Sequence, residues 1–433
     1  MIKKLSQLIA ISLMLVSLSA CATAGIPVET SLPPTQVIIA TSTPLTPTET
    51  PTSSPPTPTP IPSATPLPVN AIQHYPTDQE FSITYIHMID LTHGWAIGSL
   101  GARAGDHVLF TSDGGSTWKD VTPPESKPAA DQAKAAVGFF QDLNTAWVTY
   151  FINGGYPMID IPVVWKTTDQ GLTWTASQPL DITGLSEVYV PAMIQFVAGE
   201  NGWLLVHVGV GMNHDYIVIY RTTDGGTSWQ RILDPYNDGG IQSCSKNAML
   251  FTDATHGWLT GDCNGVKAGV LLFNTLDGGM TWQPVTLPDP SGAPGIYENM
   301  NMACGSYEPF FFGNDVGHLS VRCADYSAAQ IQNKYYIYST QDAGSTWTCI
   351  PYPGDALYFY SAETGWATSL ILRKTTDGGQ SWTVLTDVTW TPQMDFVSEQ
   401  NGWAVATAGN EVALVKTDNG GLRWSIIIPS VGP

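Results

Sequence analysis

Six aspartates recur in one eight-residue pattern, Thr/Ser-x-Asp-x-Gly-x-Thr/Ser-Trp, and their carboxylates are the first candidates for chemistry. They are Asp113, Asp169, Asp224, Asp277, Asp342 and Asp377. A seventh copy is degenerate, with Asn419 between Thr417 and Trp424. Such carboxylates could act as acids or metal ligands. They could equally fasten a turn, because Asp and Ser/Thr oxygens accept hydrogen bonds from loop N–H groups. The Gly then supplies a position with positive φ, and the Trp packs against the next repeat. A pattern this strictly repeated predicts the mechanical role, with no catalytic residue among the six.

Cysteines form the second set. Cys244 and Cys263 are separated by 19 positions, and so are Cys304 and Cys323. In each pair the first Cys lies seven residues before a Phe, Phe251 or Phe311. Antiparallel pairing around an intervening turn predicts two cross-strand disulfides in an oxidising compartment. Cys349 is left over. Zinc is the alternative, but no known ligand spacing is present.

The third set lies in variable loops: Tyr156, Asp160, His214, Asp215, Tyr216, Tyr236, Asp238, Tyr297, Asp325 and Tyr326. Tyr beside carboxylates suits a sugar or a peptide. Asp234, Asn237 and Asp238 do not follow an EF-hand pattern. His214-Asp215 has no assignable nucleophile beside it. No metal site and no cofactor are expected.

These residues must be positioned by repeated elements. Before each box comes an apolar anchor and, seven residues on, a Gly-Trp. The anchors are Met88, Phe140, Phe196, Phe251, Phe311, Phe359 and Phe396. The matching Trp residues are Trp95, Trp147, Trp203, Trp258, Trp366 and Trp403, with His318 in the fifth unit and Ala146 replacing the Gly in the second. Thirteen of the 15 Trp residues therefore occupy two repeat positions, which makes them structural rather than ligand-stacking. Each unit reads as four short antiparallel strands between Gly/Asp turns. Seven such units predict an all-β chain, a seven-bladed β-propeller over 78–430.

In that arrangement the boxes join the third and fourth strands. They lie on the face opposite the connections that join second to third strands and one unit to the next. Those connections are long in units one to five and minimal in units six and seven. Variable loops on a rigid ring carry function. The expected binding face is thus the long-loop face over units two to five, at Tyr156, His214, Asp215, Tyr236 and Tyr326.

The N-terminus reads as an address. Lys3 and Lys4 precede an apolar run to Ser19, followed by Leu18-Ser19-Ala20-Cys21. This describes a signal peptide over 1–20, and the last four residues resemble the lipobox of bacterial lipoproteins, implying lipidation of Cys21. Residues 22–70 hold 13 Pro and 12 Thr. That composition predicts a disordered Pro/Thr-rich stalk over 21–75, holding the domain off the membrane. The expected location is extracytoplasmic, with only the lipid touching the membrane. A net charge of −20 argues against nucleic acid as a partner.

The box is similar to the Asp-box, or BNR repeat, of sialidases, where it is structural. The combined pattern, anchor to Gly-Trp to Thr-Thr-Asp-Gly-Gly-x-Ser/Thr-Trp, resembles the photosystem II stability/assembly factor family. That resemblance spans 78–430 and implies a propeller that binds or assembles protein partners without catalysis, in a photosynthetic setting. The family's Arg-rich patch has no counterpart: Arg103, Arg221, Arg231, Arg322, Arg373 and Arg423 are scattered. A glycan-binding protein or sialidase-like glycosidase is the alternative. It requires an Arg triad, a Tyr nucleophile with its Glu, and an Asp acid. The expectation is a monomeric, non-enzymatic module with a protein, or a glycan, on the long-loop face.

Overall fold

The computed structural model describes residues 71–432, apart from 102–103, 128–131, 153–160, 186–187, 212–213, 237–240, 242, 264–268 and 328–329. The first unit shows the plan. Strands Ser82–Met88, Gly94–Ser99, His107–Thr111 and Thr117–Asp120 pair antiparallel in sequence order. The same order recurs along the chain, and the fold is all-β and of propeller type.

Six sheets carry the seven sequence units, because units four and five share one nine-stranded sheet. Asp262, ending the second strand of unit four, pairs with Gly305 in the first strand of unit five. Val270 bridges to Cys304 beside it. Gly305 permits this approach, since a Cβ there would lie 2.8 Å from the Asp262 carboxyl.

First strands of neighbouring units meet one another. Gln393 of unit seven bonds the backbone N–H and carbonyl of Ile86 in unit one. Gln195 of unit three does the same to Phe251 of unit four. Second strands are covered on both sides, so Gly94–Ser99 and Gly365–Thr368 are buried throughout.

The two sequence motifs meet at the junctions between units. Each Phe anchor stacks on the second-strand aromatic of the preceding unit, and Met88 packs in one cluster with Trp403. Ring centroids are 3.7 Å apart for Trp147–Phe196, Trp203–Phe251 and Trp366–Phe396. His318 takes the Trp position in unit five and stacks on Phe359 at 4.3 Å. Such pairs contribute about 0.5–1.5 kcal/mol beyond the area they bury. Anchor and glycine are also register partners, as in Phe196↔Gly202 and Phe251↔Gly257. The ring lies over the glycine so closely that a Cβ at Gly202 would sit 2.5 Å from Phe196.

The indole N–H groups of the second-strand Trp residues reach forward to the next unit. Trp147 donates to the Gly225 carbonyl, Trp203 to Gly278 and Trp366 to Gly420, each at 2.9 Å. Trp403 of the last unit donates to Gly114 of the first, also at 2.9 Å. The box Trp residues point the other way. Trp118 packs with Trp403 of unit seven, and Trp347 meets Trp258 of unit four edge-on. The expectation that the box Trp packs against the next unit is therefore corrected. The third-to-fourth strand turn leans back over the preceding unit, and the second-strand Trp makes the forward contact.

The chain ends are tied to unit one. Ser430–Val431 runs parallel to Thr117–Asp120, and Gly432 donates to the Trp118 carbonyl. Residues 71–77, assigned by sequence largely to the spacer, belong to this surface. Ala71 and Ile72 are buried, and Tyr75 stacks on His107 at 3.7 Å.

Candidate functional site: a cavity on the long-loop face

The box carboxylates are engaged by their own turns. Asp277 accepts from the Thr281 N–H at 2.9 Å and hydroxyl at 2.6 Å, and from the Thr275 hydroxyl at 2.8 Å. The buried Thr275 oxygen in turn accepts from the Gly279 N–H at 2.9 Å. The Gly278 N–H bonds the Thr255 carbonyl, tying the box to the unit's first turn. Asp113, Asp169, Asp224, Asp342 and Asp377 repeat the Thr/Ser contacts. Burial opposes ionisation of Asp277, but the Thr281 and Thr275 bonds outweigh it and hold the carboxyl below its usual range. At Asp377 the Ser381 and Thr375 bonds bring it down to about 2. Carboxylates this firmly ionised cannot supply a proton near neutrality.

Both cysteine pairs are bonded, Cys244 to Cys263 and Cys304 to Cys323. Each bridges the first and second strands of its unit, at the end away from the box. Cys349 is a free thiol that burial pushes up to about 11. Cys21 lies outside the described residues.

The loop residues divide. Tyr156 and Asp160 lie outside the described residues. Tyr236 is 85% exposed and Tyr326 53%. His214 is exposed and stacks on Tyr216. Asp215 is not a surface group: it is 4% exposed, 2.8 Å from His207 Nδ1, and accepts from the Lys246 N–H at 2.9 Å. It fastens unit three to unit four, because strand alternation turns it inward between His214 and Tyr216. His214 begins a strand of unit three while Tyr236 and Tyr326 sit on separate loops, and no hydrogen bond or ring contact joins the three.

On the same face a cavity of about 730 Å³ opens over units four to seven. Its wall includes Asn247, Tyr307, Glu308, Asp355, Leu370 and Trp390. This shifts the concavity away from the sector the loop lengths indicated. Long loops fill space, while the short connections of units six and seven leave it open. In unit six only Ser369 and Leu370 separate the second and third strands, and Leu370 adopts φ 68°. A non-glycine residue there carries local strain.

Glu308 reaches the cavity because Pro309 interrupts its strand. The first strand of unit five is split into Met302–Ser306 and Phe310–Phe312, and Pro lacks the N–H a ladder needs. Glu308 is exposed by accessible surface, although much of the surrounding volume in the cavity is protein. Burial alone pushes its carboxyl up to about 7. Tyr85 of unit one is held above the usual phenol range by burial, then by the charges of Asp395 and Glu308. Burial also holds Asp395 above its usual range, although His87 and the Met88 N–H favour its charge.

Sequence reasoning missed Glu308, Tyr85, Asp395 and Trp390. Two signals were present: Glu308 precedes a Pro inside a predicted strand, and Trp390 is one of two Trp residues outside the repeat positions. Three arginines are engaged away from the cavity wall. Arg221 covers Trp203 and bonds the Ala254 carbonyl, Arg231 bonds Thr183 O, and Arg373 bonds Pro353 O. Among the described residues no group of three His, Cys, Asp or Glu side chains is placed to hold a metal ion.

No family model matches the chain, and no curated protein matches it by sequence. Solved structures do. YCF48 from Cyanidioschyzon merolae is 16% identical, covering 80% of this chain and 98% of its own, with a TM-score of 0.46. A polysaccharide lyase PL25, an ulvan lyase, is 9% identical over 83% and 97%, at 0.45. A puromycin-hydrolyzing peptidase of Mycobacterium tuberculosis is 12% identical over 80% of this chain, at 0.51. The chain spans about half of that peptidase, 53% of its length. At these identities the likeness concerns the fold alone, and the chain is an all-β protein of propeller type.

Proposed function

We propose that this protein is a non-enzymatic binding module, exported and lipid-anchored at Cys21, that takes a protein partner on its long-loop face. One observation carries the reading: the repeated carboxylates are used up in turns, while the large cavity opens on the opposite face. In this reading the seven units are seven blades, and residues 22–70 are a spacer. The repeat pattern resembles the photosystem II stability/assembly factor family, so the partner class is a membrane protein or complex under assembly. A glycan-cleaving role is the second reading, favoured by one feature, the Glu308 carboxyl near neutrality in a large cavity. Against it stands the lining, which among the described residues offers no Arg for a substrate carboxylate.

The experiment is a pull-down from membranes with the mature protein. Loop swaps at 209–216 and 324–334, and Glu308→Gln with Trp390→Leu, are the variants. Loss of partner in these but not in Asp277→Ala supports the reading. Partner loss confined to box variants, or turnover of sialosides or plant polysaccharides, overturns it. Cys21→Ala is expected to release a folded domain from the membrane, and retention overturns the anchor.

A further inference from the structure

We infer that the cavity over units four to seven receives the ammonium group of a lysine side chain presented by the protein partner. The inference rests on the protein-binding reading above and names the chemistry of its site. Among the described residues the charged groups of the lining are Glu308 and Asp355, both acids, with no Lys, Arg or His. Glu308 makes no hydrogen bond or ion pair within the described residues, so its charge, still reached by solvent, has no counterion there. A carboxylate with no cation beside it in a partly walled cavity gains from one that a ligand brings.

The aromatic lining fits the same ligand. Tyr307, Phe310 and Trp390 line the wall with the carboxylates. Aromatic faces beside acids are the usual recognition elements for an ammonium group. Trp390 is held edge-on by Trp424, with ring centroids 5.6 Å apart, which fixes the platform. A net charge of −20 attracts cations to the protein as a whole. A neutral sugar would stack on Trp390 equally well, but would leave the Glu308 charge uncompensated.

Arg322 acts on the neighbouring Tyr307, but no ion pair joins it to Glu308 among the described residues. Tyr307 and Asp355 share its cavity. Tyr85 and Asp395 approach from units one and seven, and His87 is 3.6 Å from Asp395. A ligand cation therefore binds better when Glu308 is ionised, and affinity rises with pH through about 7.

The test titrates the mature full-length protein with a short acetylated, amidated Gly/Ala peptide containing one Lys, read by calorimetry and Trp fluorescence. Controls are the norleucine peptide, spermidine and a neutral xyloglucan oligosaccharide. The Lys peptide is expected to bind, and the norleucine peptide to bind at least about 30-fold more weakly. Glu308→Gln is expected to lose a similar factor and to flatten a roughly tenfold gain between pH 6 and pH 8. Trp390→Phe, which keeps the contact with Trp424, tests the platform without removing the ring. Equal binding of the two peptides, or unchanged affinity in Glu308→Gln, overturns the inference. So does binding of spermidine alone, or displacement of the peptide by the oligosaccharide. A partner captured through the long loops but insensitive to Glu308→Gln overturns this inference and leaves the binding reading standing.

Discussion

At the residue scale the box is a two-part fastener, and its parts are unequal. Thr275 is buried and holds the Gly279 N–H, while Asp277 is exposed and holds groups at the rim. Removing an acceptor from a buried donor costs more than removing one that water can replace. Thr275→Val is expected to destabilise by about 2 kcal/mol and Asp277→Ala by about 1 kcal/mol, measured by urea unfolding. A reversed order contradicts the geometry. The titrating groups pull in opposite directions. Asp253 and Asp377 lie at about 2 in the fold, below their unfolded values. Their stabilisation is present above pH ~4 and is lost as pH falls toward 2. Glu308 is raised instead, so its contribution is full below pH ~4.5 and is lost as pH rises through about 7. Glu308→Gln is therefore expected to raise Tm at pH 8 and leave it nearly unchanged at pH 5, by calorimetry. A residue whose removal stabilises the fold is characteristic of a functional site.

At the element scale, units four and five differ from the rest. Their strands merge into one sheet, and each has its first two strands bridged by a disulfide. Glu308 lies between the two halves of the bridged first strand of unit five. The bridge from Cys304 to Cys323 holds that strand in register on one side of the Pro309 break. Closing a loop of this length contributes about 3 kcal/mol in the chain-entropy account. The double variant Cys304→Ala/Cys323→Ala is expected to lose about that much in guanidinium unfolding, and reductant on the parent, which also opens Cys244–Cys263, to cost more. No change on reduction argues that the strand is held by packing alone.

At the scale of the whole molecule, stability depends on the last unit meeting the first. Trp403 bonds Gly114, Gln393 bonds Ile86, and Val431 is buried against unit one. Units in the middle of the chain have covalent neighbours on both sides, but this junction has none. Deleting 428–433 removes Val431 and the backbone bonds of Gly432 and Val431. It is expected to cost at least about 2 kcal/mol and to speed proteolysis of 71–81. A truncated protein as stable as the parent contradicts this account of closure.

The repeat was legible in the chain because its constraints are local or nearly so. An eight-residue turn needs its Thr, Asp and Gly at fixed offsets. Phe251 and Gly257 pair within one hairpin, so their spacing is written in sequence. The cysteine spacing followed from the same hairpin register. What each Trp touches was not legible, since Trp147 and Phe196 belong to different units and meet only across a junction. Asp215 looked like a surface acid beside His214, and only its register toward Lys246 turned it inward. The site depended most on tertiary structure. A cavity is the space that loops leave unfilled, and no spacing encodes it. Glu308, Tyr85 and Asp395 lie in units five, one and seven, and it is closure of the fold that gives them one electrostatic environment.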